Sequence, residues 1–455
     1  MASVADWDRP FTFDPAKTVA LVNSLSGERA SFAFLREGLV ERLPDGHVFD
    51  LSACFDPSGE LSKGNFQPAR DLVTAKAADG LVLVCGGDGT VPVGLDIVDS
   101  IDWAGLGLAR PRCSLLPQGT GNDVSRCLRL GTGFTKDRAC RCCSVCCSCC
   151  QLGSIDEQFA LSTGGTPGLI DRWELHVVKL TDRDPVVVPD ASSPTVSGEG
   201  KDAAAEPGSK APASPTEPFA PLPAGTEPAM APPADEVAAS AGGDPDAVPA
   251  PAPVVPRGTR IQWNNHFTLG VDAEISADFH AFRKRNPDWC KSRFMNKIHY
   301  TWIGAGKCCC YPALDTAVTM VVDGVAVPLP KGAQSVMVTN LDSFASGVQL
   351  WKDSRNRFQP ISVCDGLLEV QTHFGINHMS GIQAGYRKAT KVCQGSVIEF
   401  TVNAPNVFLQ FDGEAIPGYT DDGYHVTLRR VGQTPILHHR PELCRPAGST
   451  EPVAS

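Results

Sequence analysis

The stretch Leu81-Val82-Leu83-Val84-Cys85-Gly86-Gly87-Asp88-Gly89-Thr90-Val91 constrains this chain more than any other. Leu81 to Val84 are apolar without alternation, which suits a strand covered on both faces, as in a parallel sheet. Gly86, Gly87 and Gly89 then let the backbone turn sharply and come close to a ligand. Backbone N–H groups in such a turn suit phosphate oxygens. Asp88 falls where a phosphate, Mg2+ or a substrate hydroxyl would meet the turn. Taken alone, the turn leaves an ordinary strand-to-helix connection as the lesser alternative.

Two further segments have the same form. Ser114-Leu115-Leu116-Pro117 runs into Gln118-Gly119-Thr120-Gly121-Asn122-Asp123-Val124-Ser125-Arg126. Here again a strand meets glycines, and Asn122 or Asp123 is placed to cap the helix that follows. Thr18-Val19-Ala20-Leu21-Val22 leads into Asn23-Ser24-Leu25-Ser26-Gly27. Turns at like ends of neighbouring parallel strands converge on one crevice, where open α/β sheets bind their ligands.

Together these segments resemble the catalytic domain of eukaryotic diacylglycerol kinases. That domain belongs to a wider group holding sphingosine and ceramide kinases, NAD kinases and phosphofructokinases. The whole group shares the GGDG turn, whereas GGDGT with PQGTGND points to lipid kinases. The second half resembles the accessory domain of the same family. The matching residues begin with Asn264-Asn265-His266-Phe267-Thr268-Leu269-Gly270-Val271-Asp272-Ala273-Glu274-Ile275. Asn286-Pro287, Ser292-Arg293, Asn296-Lys297, Tyr300 and Asn340-Leu341 follow, then Gly347 to Trp351, Asp365 to Val370 and Phe411-Asp412-Gly413-Glu414. The resemblance covers most of residues 14–430 outside one insertion.

The resemblance implies an α/β N-terminal domain with a mostly parallel sheet, like NAD kinase and phosphofructokinase, over residues 14–155. It implies a C-terminal, mainly antiparallel β accessory domain over 160–430, with the active site in the cleft between. The strand-like stretch from His425 to Val431 is expected to return to the first domain. The implied activity is ATP-dependent phosphorylation of 1,2-diacylglycerol to phosphatidic acid, with Mg2+. Gly86, Gly87, Gly89 and Thr90 would hold the phosphates. Asn23 and the turn of Gly119, Thr120, Gly121, Asn122 and Asp123 would hold the rest of the nucleotide. Asp88 is a candidate Mg2+ ligand and a candidate base, and Glu414 is the other candidate base. On its own, Asp412-Gly413-Glu414 reads as a hairpin turn. Two other functions stay open: a kinase for a sphingoid base, ceramide or monoacylglycerol, and a catalytically weak, membrane-attached signalling scaffold.

At 455 residues the chain exceeds one typical domain. Its net charge of −11 is concentrated. The segment 184–256 holds 11 acidic and 2 basic residues, a balance of −9, which leaves −2 for the rest. It also holds 17 of the 37 prolines. It has too little apolar surface to offset its ordering entropy, so it is expected to be disordered. It separates the strand-like Asp171 to Lys179 from Asn264 to Phe267, which the family joins almost directly. An insertion between two accessory-domain strands is therefore expected, tolerable because loop closure cost grows only logarithmically. It serves as a spacer or as a regulatory, partner-binding segment. Residues 442–455 are expected to form a disordered tail.

Ten of the 18 cysteines lie in two clusters. One is Cys140, Cys142, Cys143, Cys146, Cys147, Cys149 and Cys150; the other is Cys308, Cys309 and Cys310. Cys143 and Cys146 form a CxxC pair, but no second pair lies at zinc-finger spacing. S-acylation of the first cluster beside Arg138 and Arg141, metal binding and a Cys-rich surface loop remain the readings. No apolar run reaches the roughly 18 residues of a bilayer span, and no secretory signal is visible. A cytoplasmic, peripherally membrane-associated protein is expected, acting on diacylglycerol at a membrane surface, with no nucleic-acid partner. The family's animal members usually carry zinc modules that bind diacylglycerol ahead of the kinase domain. The first family strand begins by Thr18, so no such module is expected ahead of it. The cysteines or the basic stretch Arg283-Lys284-Arg285 are the alternatives for recruitment. Val91-Pro92-Val93-Gly94 departs from the family's Val-Gly-Trp, but proline suits a first helical turn.

Overall fold

The protein is described here by a computed structural model over residues 9–26, 29–55, 65–119, 121–133, 154–182, 258–290, 293–307, 311–351, 358–416 and 423–444. Its first part alternates strand and helix. The elements are β1 (Thr18–Val22), α1 (Arg29–Val40), β2 (Val48–Asp50), α2 (Gln67–Lys76), β3 (Leu81–Gly86), α3 (Thr90–Asp99), β4 (Arg112–Pro117), α4 (Asp123–Cys127) and α5 (Ile155–Thr163). Every residue of β1, β3 and β4 is buried, as suits apolar strands covered on both faces, although Thr18, Arg112 and Ser114 are buried polar residues among them. These strands pair in parallel in the order β2-β1-β3-β4. Val19, Leu21, Val82, Val84, Leu95 and Val98 pack on one face. Ala20, Val22, Leu35, Leu39, Leu83 and Leu116 pack on the other. The three turns singled out in the sequence therefore leave the same edge of one sheet.

The second part is mostly antiparallel. It comprises β5 (Thr166–Lys179), β6 (Thr259–Trp263), β7 (His266–Gly270), α6 (Val271–Arg285), α7 (Arg293–Gly306), β8 (Val318–Val322), β9 (Val325–Val327) and β10 (Ser335–Thr339). Then follow β11 (Leu368–His373), α8 (Ile376–Gln383), β12 (Thr390–Gly395), β13 (Val397–Val402), β14 (Leu409–Phe411), β15 (Glu414–Ala415) and β16 (Tyr424–His438). Six of these strands form a sheet in the order β12-β11-β10-β7-β14-β15. Its apolar face, including Phe267, Val338 and Val370, packs on Trp173, Phe400 and Leu428 of the other sheet. The alternate residues of the same strands, among them His266, Thr268, Thr339, Glu369 and Gln371, are buried polar groups on the opposite face.

The two parts are not separate sheets. β16 runs antiparallel to β5 and to β13. Its far end then pairs in parallel with β4, Ile436 beside Cys113. One ten-stranded sheet thus passes from the parallel half into the antiparallel half. The expected return to the first domain occurs, at Ile436 and beyond the stretch that suggested it. A register shift between Arg430 and Gly432 marks the change of course, as bulges often do.

β5 and β6 pair from Trp173 beside Trp263 to Val177 beside Thr259. The strands flanking the acidic insertion are therefore neighbours. The insertion itself and both cysteine clusters lie outside the described residues. The tail expectation begins too early: Leu443 and Cys444 are buried in the first core, and the Val363 N–H donates to the Leu443 carbonyl at 2.8 Å. Apolar Leu443 finds a site there that polar composition around it concealed. Residues 445–455 lie outside the description.

Candidate active site

The turns after β3 and β4 touch through their backbones. A Cβ built on Gly87 would stand 2.9 Å from the Gly119 Cα, so neither position has room for a side chain. The Gln118 N–H donates to the Gly86 carbonyl at 2.7 Å, which continues the parallel pairing into the turns. The turn after β1 joins them, because the Gly87 N–H donates to Ser26 Oγ at 2.9 Å. Asn23 is buried and its Nδ2 donates to Thr90 Oγ1 at 2.9 Å. Its Oδ1 accepts from the Leu25 N–H at 3.0 Å. A Cβ at Gly89 would meet nothing within 4 Å, so this side of the turn is open.

The carboxylates converge beneath the glycines. A Cβ on Gly121 would lie 2.7 Å from Asp88 Oδ2 and 3.1 Å from Asp123 Oδ2. Asp88 accepts from the Val124 N–H at 3.3 Å. It therefore caps α4, the role expected of Asn122 or Asp123. Asn122 is instead held in a left-handed conformation, φ 54°. Its amide closes its own turn, accepting from the Gly119 N–H at 2.8 Å and donating to the Gly119 carbonyl at 2.9 Å. Burial pushes the Asp88 carboxyl up to about 8. The charges of Asp123 and Asp412 add to the rise, and the Val124 N–H opposes it. Arg126 donates from Nε to the Gly121 carbonyl at 2.9 Å.

The accessory half supplies the rest of the frame. Asp123 accepts from Ser343 Oγ at 2.5 Å, from the Ser346 N–H at 3.0 Å and from the Gly347 N–H at 3.1 Å. Ala345, Ser346 and Gly347 have φ of 47°, 78° and 115°. Consecutive left-handed residues cost energy, and they turn these N–H groups onto one anion. Asp412 accepts from the N–H groups of Asn264, Asn265 and His266 at 3.1, 2.8 and 3.0 Å. Burial pushes its carboxyl up to about 6 against those donors. Burial also lowers His266, whose ring faces the charge of Asp123. Arg172, 2% exposed, spans both halves. It donates from Nε to Asp99 Oδ2 at 2.8 Å, from Nη2 to the Pro92 carbonyl at 3.1 Å and to Gln262 Oε1 at 2.8 Å, and from Nη1 to Asn264 Oδ1.

Gly86, Gly87, Asp88, Gly89, Thr90, Gly119, Gly121, Asn122 and Asp123 are thus assembled at one place, with Asn23 behind them. Thr120 lies outside the described residues. Glu414 stands apart from this buried group. Asp412 and Gly413, with φ of 47° and 85°, form a two-residue hairpin loop between β14 and β15. Asp412 points into the frame, while Glu414 is 54% exposed and its Oε2 lies 3.6 Å from His280 Nδ1. Sequence reasoning passed over Asp412, Arg172 and the Ser343 to Gly347 loop. Asp412, Arg172 and Gly347 fall in segments singled out above, while Ser343 to Ser346 lie between two of them, and only their contacts assign them work. Among the described residues no cluster of three or more metal-ligating side chains is assembled.

Residues 17–147 match the model of the diacylglycerol kinase catalytic domain, and residues 262–415 that of the diacylglycerol kinase accessory domain. Diacylglycerol kinase 1 of Arabidopsis thaliana is 26% identical over 436 residues, 93% of this chain and 46% of that protein. Diacylglycerol kinase theta of Rattus norvegicus is 28% identical over 373 residues, 81% of this chain and 30% of that protein. The chain thus spans at most about half the length of these curated relatives. Among solved structures, a putative diacylglycerol kinase from Bacillus anthracis str. Sterne aligns over 93% of this chain and 97% of that chain, at 14% identity and a TM-score of 0.45.

Proposed function

Because the chain belongs to the diacylglycerol kinase family, we propose that it transfers the terminal phosphoryl group of ATP to the primary hydroxyl of 1,2-diacylglycerol, forming phosphatidic acid. The observation that carries this reading is the backbone contact of Gly87 and Gly119 above the paired carboxylates of Asp88 and Asp123. Phosphoryl transfer asks the protein mainly to position groups and balance phosphate charge. Two glycine turns without side chains offer N–H groups at close range. The turns fit a nucleotide triphosphate on that ground, with the open side at Gly89 admitting it.

The carboxylate pair fits Mg2+. Burial, and after it the charge of Asp123, disfavours the charged form of Asp88 and pushes its carboxyl up. A divalent cation would reverse that and supply charge balance to the phosphates. Asp123 already has three donors from the accessory loop, so Asp88 is the better-placed ligand. Asp123 instead couples the nucleotide turn to the accessory half.

In the transfer, the lipid hydroxyl oxygen forms a bond to the terminal phosphorus as the bond to the bridging oxygen of ADP breaks. The hydroxyl proton passes to a carboxylate. Asp88 is tied to α4 and needed for charge balance. Glu414 is accessible, and we assign it as the base, with His280 beside it. Asp412 is a positioning residue that fixes the hairpin carrying Glu414. Among the described residues no helix is long and apolar enough to cross a membrane; the lipid is met by a surface association.

The test is phosphorylation by the purified protein with labelled ATP, Mg2+ and a panel of lipids in mixed micelles. Asp88→Ala serves as the control. Labelled phosphatidic acid well above that control is expected. Label appearing only on sphingosine, ceramide or monoacylglycerol, or on no lipid, would overturn the assignment.

A further inference from the structure

The α6–α7 pair carries an exposed apolar stripe that the chemistry above does not use. On α7, Met295, Ile298 and Trp302 are 37%, 42% and 67% exposed. Steps of three and four residues put them on one side of the helix. Trp289, in the short turn Pro287–Cys290 between α6 and α7, is 66% exposed. It stacks on His299 of α7, ring centres 6.2 Å apart. Beside the stripe, α7 packs on α6. His299 packs on Phe282 and Tyr300 on Phe279, and the Tyr300 hydroxyl donates to Asp272 Oδ1 at 3.2 Å.

Single exposed apolar residues need no explanation, but three on one side of a helix, with a second exposed tryptophan stacked on that same helix, do. Next to it α6 ends in Arg283, Lys284 and Arg285, all exposed. Basic residues also suit a helix C-terminus, so the triad alone would mean little. A basic helix end beside an aromatic and aliphatic stripe fits a helix lying in a membrane interface. α6 of this pair also holds the proposed base hairpin. Ser276 Oγ donates to the Gly413 carbonyl at 2.8 Å, and His280 Nε2 lies 3.0 Å from it.

We infer that the outer stripe of α7, with Trp289 and the basic end of α6, is the face that rests on an anionic phospholipid surface. It rests on the lipid-kinase reading and adds to it the part of the molecule that meets the bilayer. The apolar side chains enter the boundary between headgroups and acyl chains, and the basic triad faces acidic headgroups. Because α6 also holds Gly413, docking there brings the hairpin of Glu414 to the side from which lipid arrives.

The experiment uses the 455-residue protein and vesicles of phosphatidylcholine with or without phosphatidylserine. Sedimentation reads binding, and tryptophan emission reads entry into the interface. Expected results are binding favoured by phosphatidylserine and a blue-shifted emission. The double variant Trp289→Ala and Trp302→Ala should weaken binding by about tenfold or more. Replacing Arg283, Lys284 and Arg285 by Ala should remove the preference for phosphatidylserine. Short-chain diacylglycerol dissolved as monomers should be phosphorylated equally by wild type and the Trp variant. Unchanged vesicle binding in the Trp variant overturns the inference, whatever the kinase assay shows. A dimer dissolved by the same substitutions, without vesicle binding, assigns the stripe to a second copy and overturns it as well. If wild type phosphorylates no lipid but binds vesicles through the stripe, the kinase reading falls and the membrane face stands.

Discussion

Gly87 and Gly119 meet backbone to backbone, with 2.9 Å between a Cβ built on the first and the Cα of the second. The contact joins turns from β3 and β4 and leaves no slack for a methyl group. Gly119→Ala should therefore push the two turns apart. Overpacking of this kind costs about 1–3 kcal/mol, and misplacement of phosphate donors lowers turnover by about tenfold or more. Thermal melts and steady-state kinetics with ATP as the varied substrate check both.

Asp88 gives a pH signature. An aspartate ordinarily titrates near 4, and this one is pushed up to about 8, first by burial and then by the charge of Asp123. A folded-state value above the unfolded one means that the folded protein holds the proton more tightly. The stabilisation this brings is complete below about pH 4 and is lost as pH rises through about 8. Ligand-free protein should lose stability across that window, and Asp88→Asn should lose less. Affinity for Mg2+ with ATP should move the other way, rising towards pH 8 in wild type and staying flat in the variant. Denaturant titrations and calorimetry across the range decide it.

Arg172 is a buried cation with four partners on both halves of the molecule. Arg172→Met removes the donor that Asn264, Gln262 and the Pro92 carbonyl share, while Asp99 keeps Arg110 and Thr434. Leaving buried polar groups without a donor in this way costs about 1–3 kcal/mol for each. The variant should unfold at markedly lower denaturant, read by intrinsic fluorescence of Trp173 and Trp263, which pack near the change.

Glu414 and Asp412 should separate by kinetic type. Glu414→Gln removes the proposed proton acceptor and should lower kcat by roughly 10²–10⁴-fold with KM for ATP unchanged. Asp412→Asn leaves one backbone N–H of Asn264 to His266 without an acceptor. It should lose about 1–3 kcal/mol of stability and a smaller share of turnover. If the two losses were reversed, Asp412 and not Glu414 would be the base.

Much of this arrangement was legible in sequence. Unbroken apolar runs marked β1, β3 and β4, and glycine with asparagine or aspartate marked their turns. The motif blocks placed the accessory strands. The contacts that finish the site were not legible, because they join residues far apart in the chain. Asp123 is held by Ser343 to Gly347, and nothing in a strained Ala345-Ser346 turn announces that it binds a carboxylate. Capping was assigned to Asn122 or Asp123 because capping is usually local, yet Asp88 does it from the neighbouring turn. The hairpin reading of Asp412-Gly413 was correct as geometry. Its function lies in what the Asp412 side chain reaches, which spacing does not encode. The return of the last strand to the first domain was expected over His425 to Val431; what spacing did not show is that β16 changes partners partway along and joins both halves in one sheet at Ile436.

That last strand has a consequence for how the molecule is made. β4 remains a sheet edge until residues near Ile436 arrive to cover it. A nascent chain must therefore carry the open flank of its nucleotide-binding sheet through the synthesis of the whole accessory half. Such an edge invites pairing with other chains, and closing it last gives the fold a long-range, slow step. The first half should not be separable: a fragment stopping before β16 exposes β4 and should aggregate, whereas adding a peptide spanning Tyr424–His438 should partly rescue it in solution.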